Sequence, residues 1–179
     1  MGRTKALLDY RGATFLETIV NVLAPHCSPI IVVLGAHADE IQKRVGDLAT
    51  FVTNKDYLRG QITSMQCGLR AVPPSSQSVL FTLVDHPALS PRVLEALLRM
   101  PSDSAALLRI PRFEGRRGHP IWFSRELISE FLALPETATA RDIVLLHSDE
   151  TQYVDVDDKG ILSDIDDPAA YRALIGGDQ

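Results

Sequence analysis

The sequence of 179 residues is poor in cysteine and has no long hydrophobic run. Its two cysteines, Cys27 and Cys67, are too few for a disulfide framework and lack the paired spacing of a zinc site. The longest mostly apolar stretch, residues 30–36, is far below the roughly 20 residues that cross a bilayer, and the first residues show no signal-peptide pattern. We therefore expect a cytoplasmic protein with two reduced cysteines rather than a disulfide-stapled secreted domain or a membrane protein.

Positive charge is also in short supply. Lysine and arginine number 18 against 23 aspartates and glutamates, so the formal net charge is −5. This balance opposes a general affinity for nucleic acids or anionic membranes, and neither is expected as a partner. Any phosphate that the protein binds must be met by a few placed groups. Length and composition are ordinary for one globular domain, which we expect to cover residues 1–179.

Short apolar runs alternate with amphipathic segments along the chain. Residues 30–34 and 79–84 are typical of strands buried on both faces of a parallel sheet. This alternation predicts an α/β fold with a doubly wound, mostly parallel sheet and helices on both faces, with ligands at the carboxyl ends of the strands. Further strands are predicted at 105–110, 121–123 and 152–156, and helices at 15–23, 38–45, 62–72, 91–100, 125–134, 140–147 and 168–175.

Acidic residues occupy two positions suited to a metal ion. Asp85 directly follows a predicted strand, and Asp164 and Asp166 alternate in a short segment before Pro168. A hard ion such as Mg²⁺ needs one or two carboxylates and takes its other ligands from water and phosphate, so the set predicts a divalent-metal site. The alternative is helix capping, by Asp85 for the helix near Ser90 and by Asp166 or Asp167 for the last helix.

Lys5, close to Gly2 and Arg3, is a candidate for neutralising phosphate charge, although a basic residue near the amino end is usually only solvated. Gly60 to Ser64 opens a predicted helix, where Thr63 or Ser64 either caps the helix or approaches a nucleotide.

The segment Arg116-Arg117-Gly118-His119-Pro120 combines two guanidinium groups, a glycine and an imidazole; the alternative is a basic turn between strands. Neither His86 nor His119 has a serine or cysteine partner in a recognisable nucleophile motif, which argues against a hydrolase triad.

Together these segments resemble the molybdenum cofactor nucleotidyltransferases, small Rossmann-like enzymes of the nucleotide-diphospho-sugar transferase type. Residues 1–8 are similar to the family's Met-Gly-x-x-Lys-x-Leu-Leu, 60–64 to Gly-x-x-x-Ser, 83–87 to Leu-x-Asp-x-Pro, 116–120 to Arg-Arg-Gly-His-Pro and 162–168 to Leu-x-Asp-Ile-Asp-Thr-Pro, with Asp167 in place of the threonine. Order and spacing agree across nearly the whole chain. The Gly-His-Pro element points to the cytidylyltransferase-like branch.

The resemblance implies a role for each matched position. Lys5 and Asp85 would be catalytic, with Lys5 on the nucleotide phosphates and Gly2 beside it, and Asp85 and Asp166 would hold Mg²⁺. Thr63 or Ser64 would approach the nucleotide, and Gly118 and His119 would line the acceptor pocket. The implied reaction transfers CMP from CTP to molybdopterin and releases pyrophosphate, and the implied protein partner is a molybdenum hydroxylase or its maturation factor.

One departure stands out. The family carries a buried central strand and the loop Ala-Ala-Gly-x-Ser-x-Arg directly before its Met-Gly, and this sequence starts at that methionine. Without them we expect a gap between strands and fewer backbone donors for phosphate. We expect these residues to be encoded upstream, and the choice between CTP and GTP stays open. The alternative functions are a guanylyl- or sugar-phosphate nucleotidyltransferase of the same fold and a non-catalytic cofactor-binding maturation factor.

Overall fold

The computed structural model describes residues 4–99 and 105–176. Seven α-helices lie in these ranges: α1 Phe15–Leu23, α2 Ala38–Val45, α3 Gln61–Arg70, α4 Pro91–Leu98, α5 Ile128–Ala133, α6 Ala140–Leu146 and α7 Pro168–Gly176. The strands in the same ranges are β1 Asp9–Tyr10, β2 Ala13–Thr14, β3 Ile31–Leu34, β4 Thr50–Thr53, β5 Ser78–Phe81, β6 Leu108–Phe113, β7 Arg116–Arg117, β8 Ile121–Ser124 and β9 Thr151–Asp155.

The strands confirm the α/β, Rossmann-like class and show a mixed sheet. β3 and β4 pair in parallel, and so do β6 and β9. β8 is antiparallel to both β5 and β6, and the short β7 is antiparallel to β6. Two reversals through β8 make β5, β6 and β9 run in the same direction, so their carboxyl ends share one edge of the sheet.

Helix α1 shows how the amphipathic pattern fixes an element. Its buried residues recur at helical spacing and pack against β3, β5 and neighbouring helices: Phe15, Leu16, Ile19, Val20 and Leu23. Thr14 and Glu17 form a capping box, in which the Glu17 carboxylate accepts from the Thr14 backbone at 2.7 Å and the Thr14 hydroxyl accepts from the Glu17 backbone at 3.2 Å. The helix therefore begins where its first donors are satisfied.

A cleft separates β3 from β5. Within the described residues β3 pairs only with β4, and β5 pairs only with β8. The cleft between them has a volume of about 560 Å³. The prediction that residues 30–34 form a central strand buried on both faces is wrong in this respect, because Ile31, Val32 and Val33 are only half-buried where the cleft opens beside them. The predicted gap between strands is present.

None of the helices in 4–99 and 105–176 has the length and apolar character needed to span a membrane.

Candidate active site

The site forms where the segment after β5 meets the segment before α7. The Ile165 backbone N–H donates to the Asp85 carbonyl at 3.0 Å, and the Ile165 side chain is buried beside Leu8 and Phe15. Because successive side chains of an extended segment point to opposite sides, burial of Ile165 turns Asp164 and Asp166 outward. The spacing predicted from the sequence thus places these carboxylates beside Asp85.

Lys5 connects two of the predicted metal ligands. Its Nζ lies 2.6 Å from Asp166 Oδ1 and 3.7 Å from Asp85 Oδ2. Burial by itself lowers the pKa of Lys5, but the hydrogen bond to Asp166 and the surrounding carboxylates outweigh it, so the pKa is raised. The same hydrogen bond lowers the pKa of Asp166. Lys5 is therefore a protonated cation at neutral pH.

A second group of ligand atoms lies next to this pair. Atoms of Asp85, His86 and Asp164 all lie within 4.8 Å of one another. The pKa of Asp164 is raised by burial and then by the negative charges of Asp85 and Asp166. The buried Oδ1 of Asp85 has no hydrogen-bond partner in the described residues. Crowded carboxylate oxygens with an unpartnered acceptor fit a hard divalent cation, which would relieve their repulsion.

His86 and His119 stack beside the carboxylates. Their ring centroids are 4.6 Å apart with an interplanar angle of 37°. The pKa of His119 is lowered to about 4 by burial and then by His86, and burial lowers the pKa of His86. Both rings are neutral at pH 7 by this account. Neither Nδ1 atom has a hydrogen-bond partner in the part of the chain that the structure describes.

Gly118 is placed by close packing. A Cβ at this position would overlap the Ile161 carbonyl oxygen and lie 2.7 Å from the Ile161 carbonyl carbon. The adjacent His119 N–H donates to the same Ile161 oxygen at 3.0 Å. Because Gly118 has no side chain, the backbone can pack closely against Ile161, and from this backbone the His119 ring reaches His86. The contact of Gly118 and His119 with an acceptor remains a prediction.

Thr63 and Ser64 share one hydrogen-bond network around the buried Asn54. The Asn54 Nδ2 donates to the Thr63 hydroxyl at 2.9 Å and to the Ser64 hydroxyl at 3.0 Å. Thr63 is buried and lies 2.8 Å from the Gly60 carbonyl oxygen. The capping alternative for these residues is wrong, because α3 begins directly after Gly60, whose φ of 122° few side chains tolerate, without a side-chain cap.

The structure also shows the position of the remaining candidates for capping and for the basic turn. Asp167 caps α7 through the backbone N–H groups of Ala169 and Ala170 at 2.7 and 2.8 Å, which leaves Asp166 to Lys5. Ser90 rather than Asp85 precedes α4. Arg116 and Arg117 form β7 in a hairpin with β6, which is close to the predicted basic turn. Gly2 lies outside the described residues.

Sequence reasoning placed Asp164 with Asp85 and Asp166 in a predicted divalent-metal set, but it did not assign His86 to that set or anticipate the contact between His86 and His119. The signal for the stack was two His-Pro pairs, His86-Pro87 and His119-Pro120, but nothing in their spacing shows that the two rings meet. Asn54 gave no signal at all, since its role depends on β4, which was not predicted.

Comparison with known proteins points to one group of enzymes. A family model described as a MobA-like NTP transferase domain matches residues 1–151. The molybdenum cofactor cytidylyltransferase of Escherichia coli strain K12 is 28% identical over 170 residues, which cover 94% of this chain and 85% of that protein. A probable molybdenum cofactor guanylyltransferase of Mycobacterium avium strain 104 is 29% identical over 182 residues, covering 97% and 88%.

A third relative is named as an oxidoreductase rather than as a nucleotidyltransferase. Nicotine blue oxidoreductase of Paenarthrobacter nicotinovorans is 34% identical over 125 residues, which cover 65% of this chain and 60% of that protein.

Solved structures share the fold over nearly the whole chain. Rv0371c of Mycobacterium tuberculosis H37Rv superimposes with a TM-score of 0.83 at 27% identity, covering 98% of this chain and 90% of that one. Its complex with manganese has a TM-score of 0.81 at 28% identity, covering 98% and 93%. A nucleotidyl transferase of Methanothermobacter thermautotroptrophicus, at 22% identity and a TM-score of 0.80, covers 97% and 84% and agrees in fold.

Proposed function

Since this chain belongs to the MobA-like NTP transferase family, we propose that it transfers CMP from CTP to molybdopterin, with Mg²⁺ as the metal and pyrophosphate as the second product. The observation that carries the proposal is the meeting of Lys5 with Asp85, Asp164 and Asp166 at the carboxyl edge of the sheet. One cation among three carboxylates leaves a net negative site, which suits a divalent ion followed by a triphosphate.

The proposed reaction brings anions together. A phosphate oxygen of molybdopterin attacks the α-phosphorus of CTP, a new P–O bond forms, and the bond to pyrophosphate breaks. When bound, Mg²⁺ supplies positive charge to the phosphate oxygens and the leaving group. Asp85, Asp164 and Asp166 would hold the ion, and the protonated Lys5 adds a second positive charge beside it.

The acceptor needs orientation more than deprotonation. Its phosphate is already ionised at neutral pH, so no strong general base is required and positioning supplies much of the acceleration. The rings of His86 and His119 border the carboxylates without adding positive charge, and their buried Nδ1 atoms have no hydrogen-bond partner in the described residues. We therefore place molybdopterin against the stacked histidines and the triphosphate against Lys5.

The choices of metal and base are the finer parts of the proposal. Carboxylate oxygens suit Mg²⁺ and Mn²⁺ alike, and the related mycobacterial structure complexed with manganese supports a divalent ion. The Gly-His-Pro segment favours CTP, whereas relatives named for cytidylyl and for guanylyl transfer are about equally similar to this chain. A molybdenum hydroxylase is the proposed recipient of the product.

The test is pyrophosphate release by the 179-residue chain with Mg²⁺ and molybdopterin, with CTP and GTP in separate reactions. Asp85→Asn removes a proposed ligand at constant size. Asp149→Asn is the matched control, because Asp149 is exposed and precedes the amino end of β9, at the opposite edge of the sheet. We expect turnover with CTP that Asp85→Asn abolishes and Asp149→Asn retains.

Other outcomes identify other functions. Turnover with GTP alone would replace CTP by GTP in the assignment, and release with a sugar phosphate but not with molybdopterin would change the acceptor. Tight binding of molybdopterin without release from either nucleotide would favour a non-catalytic maturation factor.

A further inference from the structure

His86 faces the carboxylates of the candidate site. It is 8% exposed, and its Nε2 lies 3.9 Å from Asp85 Oδ1, which is beyond hydrogen-bond distance. Lys5 approaches the other oxygen of this carboxylate, Oδ2, at 3.7 Å, so Oδ1 is left to the histidine side. That Oδ1 atom is buried and has no hydrogen-bond partner in the described residues. A buried acceptor and a ring nitrogen of a buried histidine therefore face each other without bonding.

The spacing of these atoms matches that of ligands on one metal ion. Two ligands at about 2.1 Å from an ion are roughly 3.0 Å apart at adjacent positions and roughly 4.2 Å apart at opposite ones. The 3.9 Å between His86 Nε2 and Asp85 Oδ1 lies in this range. An oxygen of Asp164 completes a set whose atoms lie within 4.8 Å of one another, and the exposed Asp164 side chain can turn to close it.

The neighbours of His86 hold its ring in this direction. The His119 ring packs against it with the centroids 4.6 Å apart, and the Phe81 ring lies 6.1 Å from the His119 ring on centroids. Pro87 is fully buried and narrows the backbone conformations open to His86. The ring is therefore oriented before an ion binds, as a pre-organised ligand requires.

A comparison with His147 argues against a purely structural role for His86. Buried polar groups are as a rule hydrogen-bonded within the fold. His147 follows this rule, because its Nδ1 lies 2.6 Å from Glu150 and its Nε2 lies 2.7 Å from Glu130. His86 does not, since its Nδ1 has no partner among the described residues and its Nε2 faces Asp85 from 3.9 Å. The contrast indicates that His86 is placed for a ligand rather than for the fold.

The kind of donor atom decides which ion fits. Mg²⁺ takes oxygen ligands, whereas imidazole nitrogen suits first-row transition ions, whose affinity for such sites rises from Mn²⁺ to Co²⁺. Asp85 and Asp164 alone do not separate the two classes, because carboxylates suit Mg²⁺ and Mn²⁺ alike. Within this ligand set, His86 is the group that does.

We propose that His86 Nε2 is a ligand of the divalent ion held by Asp85 and Asp164, and that this nitrogen makes the site prefer a transition ion such as Co²⁺ or Mn²⁺ to Mg²⁺. The inference rests on the metal site of the proposed function and adds a ligand and a class of ion to it. Three protein ligands leave the other coordination positions to water and to the phosphate oxygens of a nucleotide. A transition ion brings the same positive charge to these oxygens as Mg²⁺ and is held more tightly.

The first test is isothermal titration of the metal-free 179-residue chain with CoCl₂ and, separately, with MgCl₂. His86→Gln is the informative variant, because its amide oxygen replaces the ring nitrogen by a hard ligand. We expect Co²⁺ to bind the unmodified chain about a hundredfold more tightly than Mg²⁺, and His86→Gln to reduce this preference about tenfold or more, mainly by weakening Co²⁺. His26→Gln removes an exposed imidazole and is the matched control, which keeps the preference.

The second test detects the nitrogen directly and does not depend on the stability of any variant. Electron spin-echo spectroscopy of Mn²⁺ bound to the unmodified chain should show modulation by a directly bound ¹⁴N nucleus. Labelling histidine alone with ¹⁵N should move this modulation to the ¹⁵N frequency. We expect the modulation to persist in His26→Gln and to vanish in His86→Gln.

The outcomes separate this inference from the one on which it rests. An unchanged preference in His86→Gln, modulation that persists in that variant, or no histidine modulation in the unmodified chain would overturn the role of His86. If Asp85→Asn still abolishes the binding of both ions, the metal site of the proposed function stands in each of these cases. Binding of both ions that Asp85→Asn does not weaken would place the ion elsewhere and overturn both.

Discussion

At the scale of single residues, Gly118 is a candidate site residue at which close packing also requires a glycine. A methyl group there would meet the Ile161 carbonyl, and backbone cannot move away as a flexible side chain can. We expect Gly118→Ala to lower the free energy of unfolding by about 2 kcal/mol, within the usual range for overpacking. Urea unfolding measures this, with Gly176→Ala as the control because nothing lies within 4 Å of a Cβ there. Equal stability of the two variants would contradict the packing account.

His147 is a second residue whose surroundings make a testable difference. Its Nε2 lies 2.7 Å from Glu130 and its Nδ1 lies 2.6 Å from Glu150, and these hydrogen bonds raise its pKa above 6.5. A raised folded-state pKa means that the protonated ring stabilises the fold below about pH 6.5 and that this contribution is lost as pH rises through the folded value.

We therefore expect His147→Gln to lower the free energy of unfolding by about 1 kcal/mol at pH 6 and by clearly less at pH 9, a modest figure because both glutamates are partly exposed. Urea unfolding at the two pH values measures the difference, and His26→Gln, at an exposed position, is the control. The account fails if the loss in His147→Gln is the same at both pH values.

At the scale of elements, the bounds of two helices could be predicted from the sequence, whereas α5 is shorter than the helix predicted at 125–134. The bounds of α1 and α2 agree with the prediction to the residue. The reason is that the buried apolar residues of each helix recur at helical spacing and stop at its last residue. β4 was missed, since Thr50-Phe51-Val52-Thr53 is short and polar at both ends. β6 begins three residues later than predicted because its first residue is set by its partners β8 and β9, which lie far away in the sequence.

Gln66 ties two elements together at the end of α5. Its Nε2 lies 3.1 Å from the Phe131 carbonyl and 2.9 Å from the Leu134 carbonyl, which lie in and just beyond the last turn of that helix. We expect Gln66→Leu to lower the free energy of unfolding by about 1–3 kcal/mol, because buried carbonyl groups lose their donor. The measurement is urea unfolding against Gln42→Leu, an exposed glutamine on α2. A loss no greater than that of Gln42→Leu would show that these carbonyls do not depend on Gln66.

At the scale of the whole molecule, the candidate site was predictable in its parts and less so in its assembly. Lys5, Asp85 and Asp166 were each singled out by local motif, and the structure brings all three together. Asp164 was predicted together with Asp166 from their alternation, whereas the inclusion of His86 depends on how Ile165 is buried and on how β5 and β8 pair, which no local pattern contains. For the same reason the contact between His86 and His119 could not be predicted from the sequence.

The assembled carboxylates predict stabilisation by a divalent ion. A ligand that binds only the folded state raises the free energy of unfolding by RT ln(1 + [L]/Kd), about 2.7 kcal/mol at a hundredfold excess over Kd. We expect Mg²⁺ and Mn²⁺ to raise the Tm of the metal-free chain, and we expect Asp85→Asn and Asp164→Asn to remove the shift. Differential scanning calorimetry measures it, with Asp149→Asn as the variant that keeps it. A Tm that Mg²⁺ raises equally in Asp85→Asn would place the ion elsewhere.

The ion pair between Lys5 and Asp166 joins residues that are 161 positions apart. During synthesis, a growing chain acquires Lys5 long before it acquires Asp164 and Asp166. Unfinished chains therefore possess the cation without its carboxylates and have no complete place for a metal ion. We therefore expect the proposed metal site to be complete only after both segments have been synthesised and have folded together.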